Sequence, residues 1–286
     1  MKNIKRISSI FLLAVLSLLS NACKKNETTR LIDLLYDLDV EGNDVKFNLV
    51  TESVTDYRWD FGDGQTSNEA NPTHTYPGKG KYVATLYAKV NGQAAESSAV
   101  IRIAKSSPIK IGDNSLADWD NITNNVITSG PGGGVVKKAK FDYDGNNIYI
   151  YMELESKKSN GDIFDFYIDS DNNTSTGLLG GFPDGGFDVL LEGALLTEGL
   201  DVFYHKGEQT SFSFDQQSIS DFYQVGTIVQ DGNILKFEMK LVRTKLKWLT
   251  GTGAKFGIMV TKNDWSQTIG FAPDENASAF FLDMDE

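Results

Sequence analysis

From Asp44 onward the chain alternates apolar and polar residues at every second position, segment after segment, and no long 3.6-residue periodicity appears outside its first two dozen residues. "DVKFNLV" puts Val45, Phe47 and Leu49 on one side, and "DYRWDF" does the same for Tyr57, Trp59 and Phe61. "NIYIYMELE" aligns Ile148, Ile150, Met152 and Leu154. That pattern is the mark of half-buried strands, and it predicts an all-β protein in which "RTKLKWL" forms at most one short turn. "YQVGTIVQDGNILKFEMKL" reads as a hairpin, two alternating arms around Asp231-Gly232-Asn233. A chain of 286 residues with 40% apolar residues is long enough for two cores in series. "KSSP", residues 105–108, breaks the alternation and is the expected linker.

The opening "MKNIKRISSIFLLAVLSLLSNACKK" has a basic start and an apolar stretch around Ile10–Leu19 that is short for a membrane span. It predicts a cleavable export signal over 1–22. Cys23 is the chain's one cysteine, which rules out an intrachain disulfide. The "LSNAC" ending resembles a bacterial lipobox, which implies lipidation of Cys23 and a stable anchor, since two or more acyl chains hold where one is marginal. Residues 23–32 then read as a tether. Formal charge is −12, and three of the 27 basic residues but none of the 39 acidic ones fall in the signal. The body is therefore strongly acidic and has no basic stripe, which argues against nucleic acid as a partner.

"YRWDFGDGQTS" followed by "NPTHTYPGKGKYVATLYA" resembles the polycystic-kidney-disease (PKD) domain, with the WDFGDG core, the NPTHTY segment and the G-K-Y strand entry in order. The resemblance covers 33–104 and implies an immunoglobulin-like sandwich that serves as a spacer or interaction unit. Asp63-Gly64 supplies turn chemistry, and Tyr76 is expected to pack with its hydroxyl on a backbone partner. His74 belongs to the framework in that motif.

Residues 109–286 carry "GDNSLADW", "FDYDGNNIYIYMELES", "DIFDFYIDSDNNTSTG", "FDVLLEG" and "FAPDENASAFFLD" in order. The series resembles the family-9 carbohydrate-binding and DOMON-like sandwiches, and implies a larger, jelly-roll-like β-sandwich. Within it Asp169, Asp171 and Asn173 have the alternate-oxygen spacing of a calcium loop. Thr174 and Gly180 stand where an EF-hand needs Gly and Glu, so the EF-hand reading fails. Two readings stay open: a Ca²⁺ site completed by Asp184 or Asp188, or an Asx-turn closing on Thr176-Gly177. Trp119 and Trp248 are expected in the core. Trp265, among polar residues in "TKNDWSQTIG", is the candidate sugar-stacking ring, with Asn263, Asp264 and Gln267 at its rim. Tyr149 and Tyr151 lie opposite the apolar face of their strand, as a second stacking platform or as the lining of the second sheet.

The catalytic patterns H-E-x-x-H, G-x-S-x-G and the phosphate-binding G-x-x-x-x-G-K-[ST] do not occur. The expectation is a non-enzymatic, lipid-anchored outer-membrane protein, its spacer holding a module that captures poly- or oligosaccharide. This resembles the surface glycan-binding lipoproteins of Bacteroidetes polysaccharide-uptake systems, and implies an outer-membrane uptake complex as partner. The alternatives are an adhesion or assembly protein, and a haem-binding electron-transfer domain using His205 with Met152, Met239, Met259 or Met284.

Overall fold

The structure is a computed structural model that describes residues 32–285. The predicted signal, Cys23 and nearly all of the tether lie outside the described residues. Among those described, no helix is long and apolar enough to cross a membrane. The protein is all-β, an immunoglobulin-like sandwich followed by a larger one.

In the first sandwich β1 (Tyr36–Glu41), β2 (Asp44–Leu49) and β5 (Thr73–Thr75) form one sheet. The other runs β4 (Thr66–Ser67), β3 (Val54–Asp60), β6 (Gly80–Val90), β7 (Gln93–Ile103) in that order. The inward positions of the alternation meet between them: Val45, Phe47, Trp59, Phe61, Leu86 and Ile101 are all buried. Their polar atoms find backbone partners, as burial requires. Trp59 Nε1 donates to the Glu69 carbonyl at 3.0 Å, and the Tyr76 hydroxyl to the Phe61 carbonyl at 3.1 Å. His74 stacks on Phe61 with ring centroids 4.0 Å apart, and its Nε2 meets Asp63 Oδ2 at 2.7 Å, so it is framework. Gly62, at φ +80°, is required: a Cβ there would sit 2.5 Å from the Val83 carbonyl oxygen.

Residues 104–110 have no regular structure, yet they are fastened to the second sandwich. Asp142, buried, accepts from Lys105 Nζ and, at 2.5 Å, from Ser107 Oγ. Lys105 Nζ also reaches the Tyr143 carbonyl at 2.8 Å.

The second sandwich pairs a five-stranded and a seven-stranded sheet. The first has the order β15 (Tyr223–Asp231), β16 (Ile234–Val242), β10 (Asn147–Glu155), β9 (Val136–Tyr143), β8 (Val126–Thr128). The second runs β14 (Phe214–Gln217), β13 (Asp201–His205), β12 (Val189–Gly193), β11 (Ile163–Asp169), β17 (Gly253–Thr261), β18 (Thr268–Ala272), and β19 (Phe280–Asp283) also pairs with β17. Ile148, Ile150, Met152 and Leu154 face Phe164, Phe166 and Ile168 in one shared core.

Both outer faces are partly covered by chain. Over the five-stranded sheet lies the segment 109–122, which buries Trp119 to 1% exposure. Trp119 Nε1 donates to Glu238 Oε2 at 2.9 Å, while Glu238 Oε1 accepts the N–H groups of Gly112 and Thr227. Over part of the seven-stranded sheet, Leu178, Phe182 and Phe187 pack onto Tyr167 and Leu190.

Trp248 departs from expectation: it is 54% exposed at φ +59°. The buried Arg243 fastens this turn by donating to the carbonyls of Leu249 (3.0 Å) and Gly251 (2.7 Å). The left-handed backbone turns the indole outward, and Leu246 and Leu249 fill the core in its place.

Candidate functional site

Strand β11 ends on Asp169, the loop after it carries Asp171, and Asp188 immediately precedes β12. One oxygen from each lies within 4.8 Å of the others. Asp169 is fully buried. Its Oδ1 accepts the Asn173 N–H at 3.0 Å, but Oδ2 has no aligned hydrogen-bond donor, only the Lys255 ammonium at 3.3 Å. Asp188 Oδ2 accepts the Ser170 N–H at 3.2 Å. Burial, then the neighbouring Asp171 charge, pushes the Asp188 carboxyl up to about 6. Burial also raises Asp169, against the Asn173 N–H and Lys255, which favour its charge.

The Asx-turn is present as well. Asn173 N–H also donates to Asp171 Oδ1 at 3.0 Å, and Asn173 Oδ1 accepts the Ser175 N–H at 3.1 Å. The turn closes on Gly177, at φ +68°, where a Cβ would lie 2.5 Å from the Gly186 carbonyl carbon. Of the five predicted oxygen donors, the structure gathers Asp169, Asp171 and Asp188. Asn173 spends its side-chain oxygen on the turn. Asp184 stands apart, with Oδ1 accepting the Ala279 N–H at 3.0 Å and tying one loop to another.

The predicted sugar contacts divide. Tyr149 and Tyr151 are 8% and 7% exposed beneath the 109–122 segment, and Trp119 packs on Tyr151 at 5.7 Å. The Tyr149 hydroxyl donates to Asp144 Oδ2 at 2.7 Å. These rings line the second sheet and the covering segment takes most of their surface, although Tyr151 and Trp119 still border a cleft of about 350 Å³ with Lys138, Lys140 and Lys236. Trp265 is 56% exposed at φ +62°, in the 262–267 turn between β17 and β18. The turn is held by the Trp265 N–H on the Lys262 carbonyl (2.9 Å) and the Lys262 N–H on the Gln267 carbonyl (3.0 Å). Asp264 Oδ1 accepts the Ser266 N–H at 3.0 Å, and Asn263, Asp264 and Gln267 are all exposed.

Beside this turn, Met259, Thr268 and Phe271 floor a cleft of about 460 Å³ on the outer face of the seven-stranded sheet. The strand registers continue its floor in a straight row, Phe271–Met259–Asp165–Glu192–Asp201, one residue per strand. Sequence reasoning missed Asp165 and Glu192, although "DIFDFYIDSD" does place Asp165, Tyr167 and Asp169 together, opposite the apolar side. Asp165 is 7% exposed, and its Oδ1 has no aligned donor, with the Thr261 hydroxyl and the Glu192 carboxyl as its polar neighbours. Burial, then the Glu192 charge, pushes its carboxyl up to about 7. Glu192 is raised too, by burial and then by Asp201. A larger cleft of about 640 Å³ lies between the two sandwiches, but no aromatic ring lines it.

Of the haem candidates, Met152, Met239 and Met284 sit in the inter-sheet core. His205 Nε2 donates to the Ser211 carbonyl at 3.0 Å and its ring meets the Phe214 edge.

Residues 38–104 match the family model of the PKD domain. Collagenase ColA of Bacillus cereus is 58% identical over 36 residues, 13% of this chain and 4% of the collagenase. Collagenase ColQ1 of Bacillus cereus strain Q1 is 38% identical over 55 residues, 19% and 6% of the two chains. The chain thus spans only a small fraction of these relatives' length. Among solved structures, the PKD1 domain of the Vibrio cholerae metalloprotease PrtV is 33% identical, covering 24% of this chain and 93% of that one, with a TM-score of 0.23. A structure titled for the promiscuous specificity of carbohydrate-binding modules of the β-sandwich superfamily is 19% identical, covering 73% of this chain and 90% of that one, with a TM-score of 0.26.

Asp165 has a consequence for stability. A carboxyl whose folded pKa, about 7, exceeds its unfolded value holds an extra proton in the fold, so stability is full at low pH and falls as pH rises toward 7. Urea unfolding between pH 4 and pH 7 should show that fall, up to about 4 kcal/mol from this group, and Asp165→Asn should flatten it. An unchanged slope in the variant would refute the assignment.

Proposed function

We propose that the protein is a non-catalytic glycan-binding protein, held at the outer membrane by lipid on Cys23, with the PKD domain as the spacer before the binding sandwich. The observation that carries this reading is Trp265, an exposed indole on a short braced turn that leads into Thr268, one of the residues lining an open cleft. Pyranose rings present apolar C–H faces that stack on such a ring, and Asn263, Asp264 and Gln267 offer hydrogen bonds to hydroxyl groups around it. The cleft floor is solvent-accessible and mixed in polarity, as a sugar site requires. Affinity per module should be weak, because an open site buries little of its ligand and must still offset the entropy lost on association. Trp265→Ala should reduce glycan binding at least tenfold in isothermal titration with little change in melting temperature. Trp119→Ala, which empties a core site, should cost about 3–5 kcal/mol of stability. Full binding by the Trp265 variant would move the site elsewhere.

The anchor follows from Cys23 and the segment before it. Display at the cell surface would place the cleft within reach of extracellular polysaccharide, alongside an outer-membrane uptake complex. Cys23→Ala should release the protein from the membrane fraction of expressing cells. A variant that still sediments with membranes would remove the anchor from the reading.

The cluster of Asp169, Asp171 and Asp188 fits Ca²⁺ as a stabilising ion. Calcium takes hard oxygens, and an ion there would discharge carboxylates that the fold otherwise crowds together, including the Asp169 oxygen that lacks a hydrogen bond. Lys255 is the competing cation, 3.3 Å from the same oxygen. Saturating Ca²⁺ should raise the melting temperature, since a ligand of the native state stabilises it by mass action. Asp171→Ala should erase the rise. Identical melting curves in calcium and in chelator would leave the Asx-turn as the whole role of the loop.

A further inference from the structure

The row Phe271–Met259–Asp165–Glu192–Asp201 changes character halfway. Its first two members are apolar and its last three are acidic, and all five lie on one face of the seven-stranded sheet. No ion pair among the described residues involves Asp165, Glu192 or Asp201. Two other buried carboxylates are fully partnered: Asp142 has Lys105 and Ser107, and Glu238 has the Trp119 indole and two backbone N–H groups. Asp165 is as buried as these, yet Oδ1 has no aligned donor, and its polar neighbours are the Thr261 hydroxyl and the Glu192 carboxyl. A buried acceptor left unmatched costs free energy that a donor brought by a ligand would recover. Glu192 beside it is half-buried and reachable.

From this geometry we infer that the Asp165–Glu192 pair is an amine subsite, and that the glycan bound on this face carries unacetylated 2-amino sugars. The inference rests on the glycan reading of the cleft and names its substrate class. A protonated amine supplies three donors and a positive charge, and it needs converging oxygen acceptors in a place that water reaches poorly. The half-buried Glu192 carboxylate is the reachable acceptor, Asp165 stands directly behind it across the strand pair with Oδ1 closed to solvent, and Asp201 extends the negative field to the sheet's edge. The 262–267 turn joins Thr261 to Thr268, a pair two residues along β17 from the Met259–Phe271 pair, so an oligosaccharide with one ring on Trp265 has the row within reach of its further units. Strands repeat about every 4.8 Å, close to the length of one sugar residue, so successive units pass from the apolar to the acidic members. An N-acetyl group would cancel the charge and bring a bulky methyl to two carboxylates, which disfavours it. A neutral hydroxyl would gain only an ordinary hydrogen bond, weaker than the charge-assisted one.

The test uses three β-1,4-linked hexasaccharides that differ only at C2: cellohexaose (hydroxyl), N-acetylchitohexaose (acetamide) and the chitosan hexamer (amine). Isothermal titration with the full protein should show the chitosan hexamer binding about tenfold tighter than the other two. Asp165→Asn and Glu192→Gln, both isosteric, should each abolish that preference, bringing the chitosan hexamer to the affinity that cellohexaose has for the same variant. Trp265→Ala should weaken all binding without altering the ranking. Equal affinity for the three sugars, or a preference that survives in both carboxylate variants, overturns the amine subsite while leaving glycan binding in place. Failure of the chitosan hexamer to bind overturns it whatever other glycans do. A lysine-rich peptide that binds as tightly as the chitosan hexamer would show the acidic row to be a general cation trap and overturn the sugar assignment.

Discussion

Strand β11 is buried at every position from Ile163 to Asp169, although from Phe164 onward its sequence puts carboxylates and a tyrosine at every second position. Phe164, Phe166 and Ile168 explain one face, where they enter the core between the sheets. The other face carries Asp165, Tyr167 and Asp169, and burying two carboxylates there is costly unless each finds a partner. The fold meets that cost unevenly. Tyr167 receives an apolar cover from Phe182 and Phe187. Asp169 receives one backbone N–H and a lysine at 3.3 Å, in the company of two further aspartates. Asp165 receives least. Both candidate ligand sites are therefore products of one strand's outer face, and each sits where the compensation is incomplete.

What covers that face decides which part of it can work. The loop between Asp171 and Asp188 folds back over Tyr167 and Leu190 and closes one half of the sheet, and its Asx-turn holds the cluster at the strand end. On the opposite sheet the 109–122 segment does the same for Tyr149 and Tyr151. The row from Phe271 to Asp201 is left between the covered half and the Trp265 turn. The same logic applies at the domain boundary, where Asp142 is satisfied by Lys105 and Ser107. A linker that reads as a structural break is thereby tied to the second sandwich by a buried charge.

Sequence pattern reports which side of a strand a residue occupies and is silent on whether that side is covered. That is why Ile148 to Leu154 could be placed in the core from alternation alone, while Tyr149 and Tyr151 stayed ambiguous until the 109–122 segment was seen above them. PKD framework residues were legible down to the Tyr76 hydroxyl, because that module's turns and aromatics are dense in its motif. Asp171 and Asp188 come together through a loop of about 16 residues, and no spacing rule gives the path of such a loop; Asp184, inside it, was equally plausible by sequence and bonds to Ala279 instead. Asp165 was visible in the alternation, but its lack of a partner is a property of three neighbouring strands and appears only when they are paired.

Trp248 and Trp265 show how far backbone strain can be taken as a sign of function. Both hold left-handed backbone, at φ +59° and +62°, and both expose more than half their surface. That conformation costs a non-glycine residue about 1–2 kcal/mol, so each indole is displayed against a local penalty. For Trp248 the turn has a structural occupation, since the Arg243 guanidinium gathers the carbonyls around it and Lys247 lies 5.9 Å from the ring. Strain alone therefore does not mark a site. Trp265 differs in its surroundings. Its turn is closed by its own backbone bonds, the residues from Lys262 to Thr268 are all exposed, and Met259 in the neighbouring cleft is the strand-register partner of Asp165. An exposed ring that no core contact explains, set beside an open cleft, is what a carbohydrate-stacking residue requires, and position relative to that cleft is what separates these two tryptophans.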